Sequence, residues 1–330
     1  MAEIASLPVS LGLCTFNRGS AIVPTLRAIA VMCSHPGVAS RLVEFLVIDN
    51  NCTDNTPTIV DEFANAHPHL RVRRIVEPVQ GIAHARACFF RSSTAPLMAM
   101  LDDDTLPDPD WLNSILVPFD SDPRAGWVGG RIELQFASPP SALARRYATM
   151  LAQQDFGAMP MMLTRSDQGM ASAAFAMRRE ALIATDWLNT RLLGGRTGAA
   201  LESGEDYELC IRMRRLGWHV RYTPDAHVRH LIPDRRQSIE YLERLARGVS
   251  LSKAQLKWLA SGQPDADWAR THLRRAQSRL LRAKCLEWRP DLRRLKLAEH
   301  HARVESWERL LETLTSSDVE QASRGQIRMP

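Results

Sequence analysis

Short apolar runs alternate with amphipathic stretches along the first hundred residues. The apolar runs predict four buried strands, at residues 9–16, 45–50, 71–78 and 96–104. The stretches between them have apolar positions at helical spacing and predict three helices, at residues 20–33, 57–67 and 81–93. Strands that alternate with helices predict a parallel α/β sheet with crossover connections.

Polar clusters follow these strands, at the edge where open α/β sheets bind ligands. The most acidic cluster is Asp102, Asp103 and Asp104, which ends the fourth strand. Adjacent carboxylates repel one another, and a bound Mg²⁺ or Mn²⁺ would explain why they lie together, because hard cations prefer oxygen ligands. A solvated turn with capping aspartates is the alternative, but the position at the end of a buried strand favours the metal.

A second acidic motif lies in the later half of the chain. Glu205 and Asp206 open a predicted helix that runs to Gly217. The helix dipole favours carboxylates in a first turn, so an ordinary helix start is the simpler interpretation of this pair. The glycine-rich segment 192–204 before it predicts either a mobile loop that closes over ligands or a plain surface loop.

The remainder of the chain changes from a strand to helices. Residues 221–233 predict a strand and loop that carry two histidines, His227 and His230. After residue 235 the pattern is helical throughout. An apolar stripe near the end has helical spacing and comprises Val304, Trp307, Leu310, Leu311 and Leu314.

Composition excludes several classes of protein. With 330 residues, 45% of them hydrophobic and 24% charged, the chain is neither disordered, collagen-like nor a coiled-coil rod. No apolar run approaches the ~18 residues of a membrane helix, and the first residues do not resemble a secretory signal. Six scattered cysteines without a CxxC pair predict reduced thiols in a cytoplasmic protein, not a disulfide framework or a zinc site.

Charge divides the chain in two. Residues 1–234 contain 22 Lys+Arg and 25 Asp+Glu, whereas residues 235–330 contain 20 and 12, so the net charges are −3 and +8. This division predicts one domain at residues 1–235 and a basic helical region at residues 236–330. The basic helices could pack on the domain, form a homo-oligomer or contact an anionic membrane surface; nucleic acid is not expected, because no recognised nucleic-acid motif accompanies the charge.

Five motifs in this order resemble the GT-A glycosyltransferases of family 2, over roughly residues 8–235. They are TFNR at 15–18, VIDNNCTDNT at 47–56, GIAHARA at 81–87, MLDDDTLPDPDWL at 100–112 and GEDYELCIRMRRLGW at 204–218. The resemblance implies a GT-A (Rossmann-like), mostly parallel sheet flanked by helices, with a helical C-terminal extension. It also implies inverting transfer of a sugar from a nucleotide-diphospho-sugar to an acceptor hydroxyl. One departure is Ala87, where the family often has Asn after the arginine.

The resemblance also implies roles for individual residues. Asp206 would be the general base, supported by Glu205, and Asp104 and His230 would bind a divalent metal ion, Mn²⁺ or Mg²⁺; His227 is the less favoured metal ligand. Segment 169–178 would line the acceptor side. The nucleotide-sugar would be bound by Thr15, Phe16, Arg18, Asp49, Arg86, Asp102 and Asp103.

The resemblance also indicates substrates and a cellular location. A UDP-sugar is the favoured donor, and the acceptor would be a saccharide or a lipid-linked sugar in polysaccharide biosynthesis. The expected location is cytoplasmic, with the inner face of the membrane as a peripheral site. Two other functions remain open at this point: a sugar nucleotidyltransferase and a non-catalytic nucleotide-sugar-binding module.

Overall fold

Nine strands form one sheet in the computed structural model, which describes residues 6–197 and 201–324, without the side chains of residues 39 and 317–324. The strands are β1 (Val9–Thr15), β2 (Leu42–Asp49), β3 (Val72–Val76), β4 (Leu97–Asp102), β5 (Thr105–Pro107), β6 (Ala125–Phe136), β7 (Met161–Met162), β8 (Ala174–Arg178) and β9 (His219–Ile232).

The strand order is β3–β2–β1–β4–β8–β6–β9–β5, and β7 pairs with β9. The first four strands of this order are parallel, as the alternation of strands and helices predicts. Strand β8 runs antiparallel to both of its neighbours, β4 and β6. The chain proceeds from β1 outward to β3 and then returns to the other side of β1 with β4. The carboxyl ends of β1 and β4 therefore form the switch point at which such sheets bind ligands.

Helices cover both faces of the sheet. They are α1 (Val23–Cys33), α2 (Pro36–Ala39), α3 (Thr56–Ala66), α4 (Ile82–Ser92), α5 (Trp111–Ser121), α6 (Ala142–Arg146), α7 (Arg179–Ala184), α8 (Trp187–Thr190), α9 (Glu205–Arg215), α10 (Ile239–Leu251), α11 (Lys253–Ala260), α12 (Ala266–Leu286) and α13 (Pro290–Arg324). These layers confirm the predicted α/β class with a helical C-terminal region.

The two faces of the sheet are built from alternating residues of the same strands. Leu11 and Leu13 of β1 belong to one buried cluster together with Leu26 of α1, whereas Met100 of β4 packs on the opposite face with Phe89 of α4. Gly12 allows α4 to lie this close, because a Cβ there would be 2.6 Å from the Phe89 ring.

Several element boundaries differ from those predicted. The first helix starts at Val23 because a 3-10 turn, Gly19–Ile22, precedes it. Residues 221–233 were expected as a strand followed by a loop, but β9 continues through to Ile232 because it is paired along its length with β6. Strand β4 ends at Asp102, so Asp103 and Asp104 lie in the turn before β5.

The C-terminal helices pack both on the sheet domain and on each other. Leu242 of α10 and Leu295 of α13 are buried together with Leu151 and Ile232 of the domain. The apolar stripe of α13 packs within this helical region, where Trp307 contacts Ala254 of α11 and other residues of α11 and α12. The division at residue 235 stays a prediction.

No helix in the described part of the chain is both long enough and apolar enough to span a bilayer.

Candidate functional site

A cleft of about 480 Å³ opens at the carboxyl ends of β1 and β4. Every site residue proposed from the sequence lines it except Asp49. The lining residues of that set are Thr15, Phe16, Arg18, Arg86, Asp102, Asp103, Asp104, Glu205, Asp206 and His230. The sheet topology thus brings together side chains from four of the five sequence motifs and from β9, which carries His230.

Phe16, Thr15 and Asp49 differ in exposure, although all three were predicted to bind the nucleotide-sugar. Phe16 is 41% exposed at the mouth of the cleft, so it is not a core aromatic and its ring is free to stack on a planar group. Thr15 is buried, and its carbonyl accepts the Asn50 amide at 3.0 Å, which joins the ends of β1 and β2. Asp49 lies behind this wall, where its carboxylate pairs with Arg74 at 3.1 Å and accepts the Cys52 amide at 2.9 Å. Its contact with a base stays a prediction.

Arg18 bridges two of the three aspartates. Its guanidinium lies 2.6 Å from both the Asp103 and the Asp104 carboxylates. Burial raises the pKa of Asp103, although Arg18 opposes that shift. Burial acts in the same direction on Asp104, but His230, Arg236 and Arg18 outweigh it and hold the pKa of Asp104 well below its usual range. Asp104 is therefore the firmly ionised carboxylate of the three.

His230 faces Asp104 with its Nε2 atom, 3.1 Å from Asp104 Oδ1. The other ring nitrogen, Nδ1, lies 3.0 Å from the Leu151 carbonyl, which can only accept a hydrogen bond, so Nδ1 carries a proton. Arg236 Nη1 lies 3.2 Å from the same Nε2 atom. Because Asp104 Oδ1 can only accept a hydrogen bond, Nε2 carries a proton when it donates to Asp104 and has a lone pair when it accepts from Arg236. A metal ligand needs the second of these forms, in which only Nδ1 is protonated.

The chemistry of Asp104 and His230 suits a divalent metal ion. An ionised carboxylate and an imidazole nitrogen lie 3.1 Å apart here, and Arg18 and Arg236 supply positive charge beside Asp104. Among the described residues no group of three or more His, Cys, Asp and Glu side chains is arranged to hold a metal ion. A metal here would therefore need ligands from a bound substrate in addition to Asp104 and His230. His227 lies elsewhere, paired with Asp108 at 2.8 Å and Glu133 at 3.3 Å.

Asp206 lies at the N-terminal end of α9, on the opposite wall of the cleft. Its Oδ2 atom accepts the Ser172 hydroxyl at 2.9 Å and the Ser172 amide at 3.1 Å. Burial and the neighbouring charge of Glu205 raise the pKa of Asp206 to about 6, although Arg86 and the Ser172 hydroxyl act in the opposite direction. A carboxylate with a pKa near the working pH can accept and release a proton in catalysis.

Glu205 and Arg86 form a buried ion pair, with Arg86 Nη1 2.5 Å from Glu205 Oε1. Arg86 Nη2 lies 3.6 Å from Asp102 Oδ1 and also donates to the Ser172 carbonyl at 3.4 Å. The guanidinium thus links the carboxylates of both walls. Its Nε atom is buried and has no hydrogen-bond partner among the described residues. Contact of Arg86 with a diphosphate stays a prediction, because in this structure its two Nη groups face protein oxygens.

Sequence reasoning missed part of the cleft. Ser172 holds Asp206, yet it lies in a segment assigned only in general terms to the acceptor side. Arg196, Arg235 and Arg244 line the cleft, and no carboxylate of the described residues lies within 4.0 Å of their side chains. Arg235 and Arg236 could have been predicted from their position just after His230, but the charge pattern assigned them to the basic helical region.

The loop before α9 is only partly described, because residues 198–200 lie outside the described residues. The amides of Leu192 and Leu193 at its start donate to the buried Glu208 carboxylate, at 2.9 and 3.0 Å. The Arg196 carbonyl accepts the Ile82 amide at 3.0 Å, which ties the loop to the start of α4. Closure of this loop over ligands stays a prediction.

Comparison with known proteins agrees with this geometry. The profile of the family described as glycosyltransferase-like family 2 matches residues 8–250, well over half of the chain. The chain belongs to this family. A pre-mycofactocin glycosyltransferase of Mycobacterium tuberculosis is 31% identical over 193 residues, which is 58% of this chain but only 38% of that protein. The succinoglycan biosynthesis protein ExoM of Rhizobium meliloti is 25% identical over 243 residues, 72% of each chain.

A solved structure extends the likeness to the fold. The mannosyltransferase PcManGT from Pyrobaculum calidifontis, in complex with GDP-Man and Mn²⁺, superposes with a TM-score of 0.55 over 98% of this chain and 78% of that one, at 20% identity. The expectation of a family 2 glycosyltransferase with the GT-A fold is confirmed. The sugar nucleotidyltransferase alternative finds no support in these comparisons.

Proposed function

We propose that this family 2 protein transfers a sugar from a nucleotide-diphospho-sugar to an acceptor hydroxyl, with inversion at the anomeric carbon. The observation that carries the proposal is the position of Asp206, a carboxylate with a raised pKa, in the same cleft as Asp104 and His230. One wall can hold a charged donor while the other removes a proton from the acceptor.

The chemical step needs one base. The Asp206 carboxylate takes the proton of the acceptor hydroxyl as that oxygen forms a bond to the anomeric carbon. The bond from the anomeric carbon to the diphosphate oxygen breaks, and the nucleoside diphosphate leaves with the electron pair. Because a single displacement occurs, the anomeric configuration inverts. Ser172 orients Asp206 through its hydroxyl and its amide.

The nucleoside would lie at the mouth of the cleft beside Phe16 and Thr15, with Asp49 behind them. Asp102 and Asp103 would face the ribose and the sugar. Burial raises the pKa of Asp102, although the charge of Arg86 opposes that shift.

Asp104 and His230 would hold a Mn²⁺ or Mg²⁺ ion, which when bound would stabilise the charge that develops on the leaving diphosphate. Arg196, Arg235 and Arg244 can supply the same charge from the protein itself. Guanidinium groups without carboxylate partners suit phosphate oxygens, which they bind in bidentate fashion. These three arginines are therefore the proposed diphosphate contacts, in addition to Arg86.

The donor and acceptor classes are proposed from the site and from the relatives. A UDP-sugar is the favoured donor, and a GDP-sugar is the second to test, since PcManGT was solved with GDP-Man. The name of ExoM places that relative in succinoglycan biosynthesis. We therefore propose a saccharide or lipid-linked acceptor in polysaccharide biosynthesis, with the reaction on the cytoplasmic side.

A donor panel tests the proposal. Purified protein with Mn²⁺ is incubated with UDP- and GDP-sugars in water, and nucleoside diphosphate is measured. Slow release of UDP or GDP from one donor is expected, since water can replace the acceptor. Release of pyrophosphate from a nucleoside triphosphate and a sugar phosphate would show a nucleotidyltransferase instead. Donor binding without any release, also with saccharide acceptors present, would indicate a non-catalytic module.

A further inference from the structure

Helix α12 has an unusual distribution of charge. Residues 268–286 contain six Lys+Arg and no Asp or Glu. Arg274, Arg275, Arg279 and Arg282 are exposed, and no described carboxylate lies within 4.0 Å of them. Like charges three and four residues apart on one helix destabilise it, so a compensating anionic partner outside the chain would relieve a real cost.

The same helix ends in exposed apolar side chains. Leu281, Leu286 and Trp288 are 62%, 75% and 82% exposed, although the opposite face of α12 packs against α11 and α13 through Ala269 and Ala276. Large apolar residues exposed within one short segment are typical of a site of interaction.

The basic and apolar features are continuous. Leu286 lines a groove of about 280 Å³ together with Arg279, Arg282, Lys296 and Glu287, whose carboxylate pairs with Lys296 at 2.6 Å. Arg279 and Arg275 also line a second groove of about 270 Å³, which carries Lys253, Lys257 and Arg303 and one carboxylate, Asp167. An apolar tip thus adjoins a long basic surface on the outer side of the C-terminal helices.

We infer that α12 and its exposed end form a docking surface for an anionic phospholipid membrane. Leu281, Leu286 and Trp288 would enter the boundary between headgroups and acyl chains, where tryptophan is favoured. The arginines around them would contact lipid phosphates. A second copy of the chain fits this surface poorly, because a symmetric contact would bring two basic helices together. A nucleic acid would use the arginines but leave the three apolar side chains in water.

Vesicle co-sedimentation tests the inference without any assay of sugar transfer. The full chain is mixed with vesicles of phosphatidylcholine alone, or of phosphatidylcholine with phosphatidylglycerol, at low and high salt. We expect sedimentation with the anionic vesicles only, weakened by salt. Equal binding to both vesicle types, or binding to neither, would overturn the inference.

Two variants identify the surface. L281S/L286S/W288S should bind anionic vesicles at least ~10-fold more weakly, because apolar burial and charge act together in such helices. At low salt, R274E/R282E should bind anionic vesicles more weakly than L281S/L286S/W288S does. L281S/L286S/W288S changes only exposed side chains, so its melting temperature should remain that of the parent, and R274E/R282E relieves repulsion among the arginines, so it should melt no lower than the parent.

Matched controls carry the same changes on other faces. V31S/V117S/I183S replaces three apolar side chains that are 58%, 59% and 66% exposed, and R27E/R91E reverses two exposed charges on α1 and α4. Both controls should bind vesicles as the parent does. Equal loss in a control and in the α12 variants would contradict the proposed surface.

Tryptophan fluorescence gives a second readout. Anionic vesicles should shift the emission to shorter wavelength, and the shift should disappear in Trp288→Phe. Sedimentation velocity without lipid tests for a second copy of the chain on this surface. A dimer of the parent that becomes a monomer in L281S/L286S/W288S would assign the surface to that second copy. Nucleic acid would be the partner of this surface if DNA displaced the protein from vesicles and L281S/L286S/W288S bound DNA as the parent does.

Discussion

Arg86 and Glu205 form a buried ion pair across the floor of the cleft, with 2.5 Å between Nη1 and Oε1. The pair joins α4 to the first turn of α9, although the two residues are 119 positions apart in the chain. It therefore fixes the wall that carries Asp206 relative to the sheet.

Breaking this pair should destabilise the protein strongly. Arg86→Met leaves the Glu205 carboxylate buried without its partner, which should lower the free energy of unfolding by about 3–5 kcal/mol. Urea unfolding measures the change. The matched control is Arg165→Met, which breaks the exposed pair with Asp167 and should cost less than about 1 kcal/mol. A loss of less than about 1 kcal/mol in Arg86→Met would show that the ion pair does not hold the two walls together.

The pH dependence of transfer should report the surroundings of Asp206. Because the base must be ionised, kcat/KM should rise with pH and level off above the pKa of about 6. Ser172→Ala removes a hydroxyl that stabilises the ionised form, so the rising limb should move to higher pH. Glu205→Gln removes a neighbouring negative charge, so the limb should move to lower pH.

The opposite signs of these two shifts distinguish electrostatics from general damage to the site. The exposed variant Ser121→Ala should leave the profile unchanged. Shifts in the same direction for Ser172→Ala and Glu205→Gln would contradict the assignment of the limb to Asp206.

Metal dependence should follow His230 and not His227. His230→Gln removes the imidazole nitrogen that faces Asp104, so the Mn²⁺ concentration for half-maximal donor turnover should rise severalfold, and Asp104→Asn should abolish turnover. His227→Gln is the matched control, since His227 pairs with Asp108 and Glu133. Full activity of the parent in EDTA, or an equal effect of His227→Gln, would contradict the proposed metal ligands.

Removal of residues 236–330 should damage the fold. Leu242 and Leu295 would no longer cover Leu151 and Ile232, so the truncated protein should aggregate or melt at a much lower temperature. It would also lose Arg236, which lies 2.9 Å from Asp104. Differential scanning calorimetry measures the change. A well-folded, active truncation would show that the C-terminal helices are an independent unit.

The parallel half of the sheet could be predicted because its strands are short apolar runs with polar turns directly behind them. β1, β2 and β4 are recognisable in this way, and their ends place Thr15 and Asp102 at one edge. Strand β8 could not be placed by the same reasoning. Its apolar run does not encode a direction, and its position between β4 and β6 depends on pairing with residues far away in the chain.

The same limit applies to the cleft. The family resemblance predicts Asp104, Asp206 and His230 as site residues, but not the groups that control their charge. The contact of Arg236 with Asp104 spans 132 positions, and the charge pattern shows only that the C-terminal part of the chain is basic. The bond from Ser172 to Asp206 depends on how β8 meets α9, which no local pattern reveals.

The central claim is that Asp206 removes the proton of the acceptor. Asp206→Asn keeps the shape of the side chain but cannot accept that proton, so kcat should fall by about 10²–10⁴-fold. Donor affinity, measured by calorimetry on the same protein with Mn²⁺, should remain within a few-fold of the parent, because Asp206 is not among the proposed donor contacts. Near-normal kcat in Asp206→Asn, or loss of donor binding together with activity, would contradict the claim.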